Sequence, residues 1–223
     1  MPGSGRQRTS TGVNALTQQA RRKGAANKIW FAENLIKIVD ARSQLIPLHL
    51  RFGQRQAREA RQVQIDAGLP VRQYVLKSRQ IGLSTDALAD TFTDVYCLDN
   101  RKGVIIAHDK PRANEHLAKC HDFNRHMPPA LQLRLAKSST SHMQYADTGS
   151  GLTVLTAANF ESQRGGTLQN AVATEFCFYP QPLQLLAGLN IVVHDIPGTQ
   201  VIIETTARGS GSEAHQFWQA CME

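Results

Sequence analysis

The densest chemical signal lies over 77–85, where Lys77, Ser78, Arg79, Gln80, Ile81, Gly82, Leu83, Ser84 and Thr85 follow an apolar run and precede a helical pattern. A strand, a short loop with one glycine, a hydroxyl pair and a helix together can hold phosphate. The loop and the helix N-terminus offer free backbone N–H groups and a positive dipole end. Against the pattern G-x-x-x-x-G-K-[ST], Gly82 takes the second glycine position and Ser84 the hydroxyl position. Lys77 stands where the first glycine belongs, and Leu83 where the lysine belongs. Phosphoryl transfer needs a cation against the phosphates and a hydroxyl for Mg²⁺. Lys77 or Arg79 can supply the first and Ser84 the second. An ordinary strand-to-helix turn with exposed basic residues accounts for the same spacing.

A phosphate loop also needs an acid at the end of another strand. Glu175 follows Ala171-Val172-Ala173-Thr174, 91 residues beyond Ser84, and can position a water or take its proton. The alternative is an acid that only ends an edge strand. His116, Cys120 and His121 fall on one predicted helix, but His121 is off the face the other two share and no H-E-x-x-H pattern is present. They read as incidental residues of a helical surface. Glu204, inside the last predicted strand, is assigned no role.

The elements that must carry these groups follow from periodicity. Residues 1–26, rich in Gly, Ser, Thr, Gln and Arg, read as a mobile basic arm. Helical spacing predicts helices over 30–39, 53–66 (with a long Arg/Gln face), 85–98, 111–124 and 182–189. Apolar β-type runs predict strands over 73–76, 103–107, 152–157, 171–174 and 200–206, and the polar stretch 137–151 reads as loop. Strands alternating with helices imply an α/β fold, with a mostly parallel sheet covered on both faces and functional residues at the strands' carboxyl ends.

The 223 residues can bury about 70% of their unfolded surface, enough for one substantial core. Hydrophobic residues at 41% and charged residues at 19% exclude coiled-coil, collagenous and wholly disordered classes. No apolar run is long enough for a membrane helix, and the Met1-Pro2-Gly3 start does not read as a signal peptide. A formal charge of +7, concentrated toward the N-terminus, favours phosphate-bearing partners. Cys97, Cys120, Cys177 and Cys221 lack any C-x-x-C pairing and suggest buried thiols in a reducing compartment.

The 77–85 loop resembles the variant Walker A loop of the large terminase subunits of tailed bacteriophages, the ATPase motors that package DNA into phage heads. Gln-Arg-Gly-Gly-Thr-Leu-Gln-Asn-Ala-Val-Ala-Thr-Glu-Phe-Cys-Phe over 163–178 is similar to the family's Arg-Gly-x-Thr loop and the Walker B strand ending in Glu, with Thr174 replacing the usual Asp. Leu50-x-x-x-Gln54 is similar to the adenine-contacting glutamine segment, and Thr205-Thr206 to the coupling motif. The segment containing Phe217-Trp218 resembles the helix that opens the closing part of the ATPase domain.

The resemblance implies a P-loop NTPase-type three-layer α/β sandwich over 27–223. ATP would bind through Gln54, Lys77, Ser78, Arg79, Gln80, Gly82, Ser84 and Thr85, and Mg²⁺ through Ser84 and Thr174. Glu175 would be catalytic with Lys77 or Arg79 as cation, and Arg164 would be either a trans-acting arginine or the anchor of its own Gly-Gly turn. It implies ATP hydrolysis coupled to translocation of double-stranded DNA into the procapsid. The expected partners are a portal protein and a small terminase subunit, with self-association into a ring on the portal in the cytoplasm of the bacterial host, and no membrane. The family's nuclease domain falls outside these residues, so no DNA cutting is expected of them. Two other readings stay open: a helicase-like P-loop ATPase acting on nucleic acid, and a nucleotide-independent nucleic-acid-binding module that uses the basic arm and the Arg-rich helix.

Overall fold

The computed structural model describes residues 13–160, 166–207, 209 and 211–222. In chain order the elements are α1 (Ala15–Ala26), α2 (Lys28–Leu35), β1 (Lys37–Val39), β2 (Leu45–Pro47), α3 (Phe52–Asp66), β3 (Val71–Leu76), α4 (Leu83–Cys97) and β4 (Lys102–Ala107). Then follow α5 (Lys110–Arg125), β5 (Leu135–Ser138), β6 (His142–Tyr145), β7 (Gly151–Thr156), β8 (Asn170–Thr174), α6 (Pro182–Val192), β9 (Gln200–Thr205) and α7 (Glu213–Ala220). Apart from the β1–β2 pair, the strands form one seven-stranded sheet in the order β3-β9-β8-β4-β7-β6-β5. The first five run parallel and the last two antiparallel.

Side chains of a strand alternate between its faces, so β4 feeds two cores. Ile105 and Ala107 enter one with Phe31, Leu88, Phe92, Tyr96 and Phe123. Val104 and Ile106 enter the other with Phe160, Phe176, Leu185 and Leu189. Helices therefore cover both faces of a mostly parallel sheet, the α/β three-layer sandwich expected from the sequence. No helix among the described residues is long and apolar enough to cross a membrane.

Five local readings are corrected. The arm expected over 1–26 is, from Ala15 on, helix α1, while 1–12 lie outside the described residues. Asn14 caps it by accepting from Thr17 N at 2.8 Å, and Thr17 and Arg21 donate to the carbonyls of Ala130 and Tyr96. Its buried face is Thr17, Ala20 and Gly24, too small and polar to register as apolar periodicity. The helix expected over 30–39 ends at Leu35, because Ile36 turns extended and the β-branched Ile38 and Val39 pair with Leu45 and Ile46 in a hairpin. The loop expected over 137–151 contains the β5–β6 hairpin, in which Met143 and Tyr145 alternate into the core and the Ser139 hydroxyl accepts from His142 N across the turn. Of the cysteines, all free, Cys97 and Cys120 are buried, but Cys177 is half-buried and Cys221 exposed.

The fifth correction concerns the Arg/Gln face of α3. Arg58 and Arg61 face inward, only 4% and 3% exposed. On α4, Asp86, Asp90 and Asp94 follow one another at i, i+4 and i+8 and so share one face. Arg58 Nε lies 2.6 Å and Arg61 Nη2 2.7 Å from the two Asp86 oxygens, and Lys28 Nζ lies 2.7 Å from Asp94 and 3.4 Å from Asp90. Burial opposes ionisation of Asp90, but Lys28, Arg61 and Arg58 overcome it and hold its pKa below the ordinary carboxylate range. Two of the arginines that would serve a nucleic-acid-binding helix are thus consumed inside the fold.

Removing one partner of a buried ion pair leaves the other charge uncompensated. Asp86→Ala is therefore expected to cost about 3–5 kcal/mol in urea denaturation. Arg125→Ala, which breaks only the surface pair with Asp122, should cost less than about 1 kcal/mol in the same measurement.

Candidate active site

β3 delivers the chain into the loop, and α4 receives it. The turn is made with Gln80 (φ 62°) and Gly82 (φ 81°) in left-handed conformations. At Gly82 a side chain is excluded twice over: the φ value favours glycine, and a Cβ there would lie 2.8 Å from Gln54 Nε2. Gln54 lies behind the loop, donating from Nε2 to the Gly82 carbonyl at 2.8 Å and accepting at Oε1 from Arg51 N at 2.7 Å. α4 starts with no side-chain cap, which leaves the N–H groups of its first turn for water or a ligand.

The loop forms one wall of a cleft of about 700 Å³, within the size range of ligand sites. Lys77, Arg79, Gln80, Gly82, Ser84 and Thr85 line that wall. The carboxyl ends of β4, β8 and β9 contribute His108 and Asp109, Glu175, and Glu204 and Thr206, while α5 adds Arg112, Glu115, His116 and Lys119. Ligands of open α/β sheets bind at this edge.

Glu175 follows β8 directly, with φ 57°, a conformation that costs a non-glycine residue energy and clusters at functional sites. Its Oε2 lies 2.7 Å from His108 Nδ1, without hydrogen-bond alignment, and His108 Nε2 lies 2.9 Å from Asp109. Opposite, Lys77 Nζ sits 3.1 Å from Oε2 of Glu204, which is 1% exposed. Burial raises the Glu204 pKa, and Lys77 and Ser84 pull against it. Arg79 is exposed on the cleft wall, with no ion pair among the described residues.

Of the residues singled out in the sequence, Lys77, Arg79, Gln80, Gly82, Ser84, Thr85, Glu175 and Thr206 share this cleft. Four others do not line it. Ser78 points to solvent. Gln54 holds the loop from behind. Thr174 is buried, its hydroxyl donating to the Ile106 carbonyl. Thr205 is buried too, accepting from Cys177 N at 3.0 Å and donating to the Thr206 carbonyl. Arg164 lies outside the described residues.

Sequence reasoning missed His108, Glu204 and the α5 face. His108 was findable as the first residue after a buried parallel strand, and Glu204 as an acid within an otherwise apolar β-branched run. His116, taken as a surface residue, is 6% exposed, with Nε2 3.1 Å from Thr174 Oγ1. Because Thr174 donates to Ile106, that contact requires the His116 proton on Nε2 and leaves Nδ1 without a partner. Burial, with help from Lys119, lowers its pKa to about 4. Among the described residues no three His, Cys, Asp or Glu side chains are grouped to hold a metal ion.

No protein-family model matches the sequence, and no curated protein matches it. Solved structures do match. The HK97 bacteriophage large terminase aligns over 85% of this chain at TM-score 0.68 and 14% identity. The Thermus phage P74-26 large terminase ATPase domain aligns over 73% of this chain and 67% of its own at 0.52 and 15%. The N-terminal domain of the DNA packaging ATPase from bacteriophage phi29 aligns over 71% of this chain and 84% of its own at 0.50 and 14%. The chain thus has the fold of the large terminase ATPase domains, and it spans 39% of the length of the HK97 protein.

With His116 neutral in the fold down to about pH 4 but titrating near 6.5 when unfolded, the unfolded chain binds more protons between those values. Stability should therefore fall as pH drops from 6.5 to 4, by about 3 kcal/mol from this residue. Urea melts at pH 7 and pH 4.5 should show this loss in the wild type and a smaller one in His116→Asn.

Proposed function

We propose that this chain, from α1 onward, is the ATP-hydrolysing domain of a phage DNA-packaging motor. The observation that carries the reading is that the 77–85 loop and Glu175, far apart in sequence, line one cleft at the carboxyl edge of the sheet. The fold shared with the terminase ATPase domains supports the same reading.

In this reading the N–H groups of 79–85 and the N-terminus of α4 cradle the β- and γ-phosphates, and Ser78 flanks them. Arg79, exposed on the wall, and Lys77, at the floor, stabilise the charge that develops on the transferring phosphoryl group. Glu175 orients the attacking water and accepts its proton, with His108 Nδ1 2.7 Å from its Oε2. Gln54 acts by holding Gly82 and has one amide hydrogen left for the base.

Ser84, Thr85, Glu175 and Glu204 offer the hard oxygen donors that suit Mg²⁺, an ion that keeps several waters and is bound through few protein oxygens together with phosphates. When bound, Mg²⁺ would neutralise phosphate charge. Ser84 would hold it, and Thr174, whose hydroxyl is already committed to Ile106, is the weaker candidate. Thr206 faces the cleft and Thr205 bonds to Cys177 N, two residues past Glu175, so a change at the phosphates has a route into β9. The work driven is translocation of double-stranded DNA in the host cytoplasm, by a ring assembled on a portal with a small subunit. Arg164 is the candidate to reach a neighbour's nucleotide.

Glu175→Gln should bind a fluorescent ATP analogue within about threefold of wild type and lose at least about 100-fold in turnover. Wild-type turnover in that variant would remove Glu175 from the chemistry. Lys77→Ala and Arg79→Ala, measured separately for binding and kcat, assign the cation: the variant that loses kcat with binding retained marks it.

A further inference from the structure

Glu204 is the buried acid of the cleft. It lies on β9 between the strand that feeds the phosphate loop and the strand that ends at Glu175, paired in register with Val75 and Thr174. It is 1% exposed, yet neither carboxylate oxygen makes an aligned hydrogen bond among the described residues. A carboxylate taken from water in this way is strongly destabilised unless a cation stands beside it. The cation beside it is the Lys77 ammonium at 3.1 Å, carried on a flexible side chain that also lines the cleft.

The other acids of the cleft are committed elsewhere. Asp109 caps α5 by accepting from Arg112 N and lies 2.9 Å from His108. Glu115 is paired with Arg112 at 2.9 Å and Lys119 at 3.0 Å. Glu175 lies beside His108.

We infer that Glu204 is a seat for a divalent cation that accompanies the nucleotide, occupied by the Lys77 ammonium until phosphates draw that lysine away. This inference rests on the nucleotide-binding reading of the cleft. Lys77 meets a triphosphate as a point charge, and its departure leaves Glu204 buried without a counter-charge. An ion that takes one or two protein oxygens and completes its shell with phosphate and water fits the vacated place, with the Ser84 hydroxyl on the same wall as the second protein oxygen. Glu204 thereby makes cation binding and the release of Lys77 toward the phosphates two halves of one exchange.

The test uses the full chain and Mn²⁺ as the probe ion. Binding of a fluorescent ADP is measured with EDTA present, and Mn²⁺ affinity is then measured by electron paramagnetic resonance at saturating ADP. Wild type should bind ADP in EDTA and take up one Mn²⁺ per chain. Glu204→Gln, whose Lys77 is free of its carboxylate from the start, should bind ADP in EDTA at least as tightly as wild type and lose at least about tenfold in Mn²⁺ affinity.

Unchanged Mn²⁺ affinity in Glu204→Gln overturns the inference and leaves the nucleotide-binding reading standing. A wild type that binds no ADP either in EDTA or with Mn²⁺ present overturns both. Should Glu204→Gln fail to fold by circular dichroism, Glu204→Asp, which keeps the charge but withdraws it by one methylene, replaces it. A smaller loss of Mn²⁺ affinity is then expected, and no loss overturns the inference.

Discussion

Three carboxylates on one face of α4, all buried, must be neutralised for the chain to fold, and meeting that demand sets the rest of the geometry. Arg58 and Arg61 of α3 and Lys28 of α2 supply the charge, which fixes both helices against α4. Holding α3 in that place puts Gln54 against the Gly82 carbonyl, so the shape of the loop follows from an ion cluster that never touches the cleft. At the far end of α4, Asp94 accepts from Asn170 of β8 at 2.7 Å, and Gln200 of β9 joins the same cluster through Lys28. From Ser84 to Asp94 a helix rises about 15 Å. The five residues of β8 span about 16 Å. The cluster therefore registers both walls of the cleft, since β8 and β9 leave it at one edge of the sheet and present Glu175 and Glu204 at the other.

Within the cleft, charge is distributed by depth. Lys77 and Glu204 pair at the floor, where burial makes their interaction strong, while Arg79, Arg112 and Lys119 lie on the more open walls. A polyanion entering such a site meets the exposed Arg79 and the Glu115-paired Arg112 and Lys119 first, and Lys77 at the floor last. The hydrogen bond from Cys177 N to Thr205 ties the turn after Glu175 to the end of β9, connecting the acid of one strand to the hydroxyls of its neighbour.

The central strands were legible in the sequence because a parallel strand buried on both faces is a near-continuous apolar run, as in Val104-Ile105-Ile106. That the loop and Glu175 meet at one cleft was legible because both stand at the carboxyl ends of predicted parallel strands, where ligands of such sheets bind. What escaped depends on partners distant in sequence. The arginines of α3 look solvated until Asp86 and Asp90, on another helix, are set beside them. α1 buries Thr17, Ala20 and Gly24, a face without an apolar stripe. The β5–β6 strands are short and polar and gain their state from pairing with β7. His116 and Glu204 are polar groups whose burial is decided by packing across the sheet, which local periodicity does not encode.

A crystal structure of the full chain with a non-hydrolysable ATP analogue and Mg²⁺ bears on the nucleotide-binding reading at its root. The expected result is that the β- and γ-phosphates lie against the backbone of 79–85, with Lys77 turned from Glu204 toward them and Glu175 facing the terminal phosphate. An analogue seated elsewhere, for instance in the groove beside Tyr74 and Phe217, contradicts it. So does an empty cleft at saturating analogue with Lys77 still on Glu204.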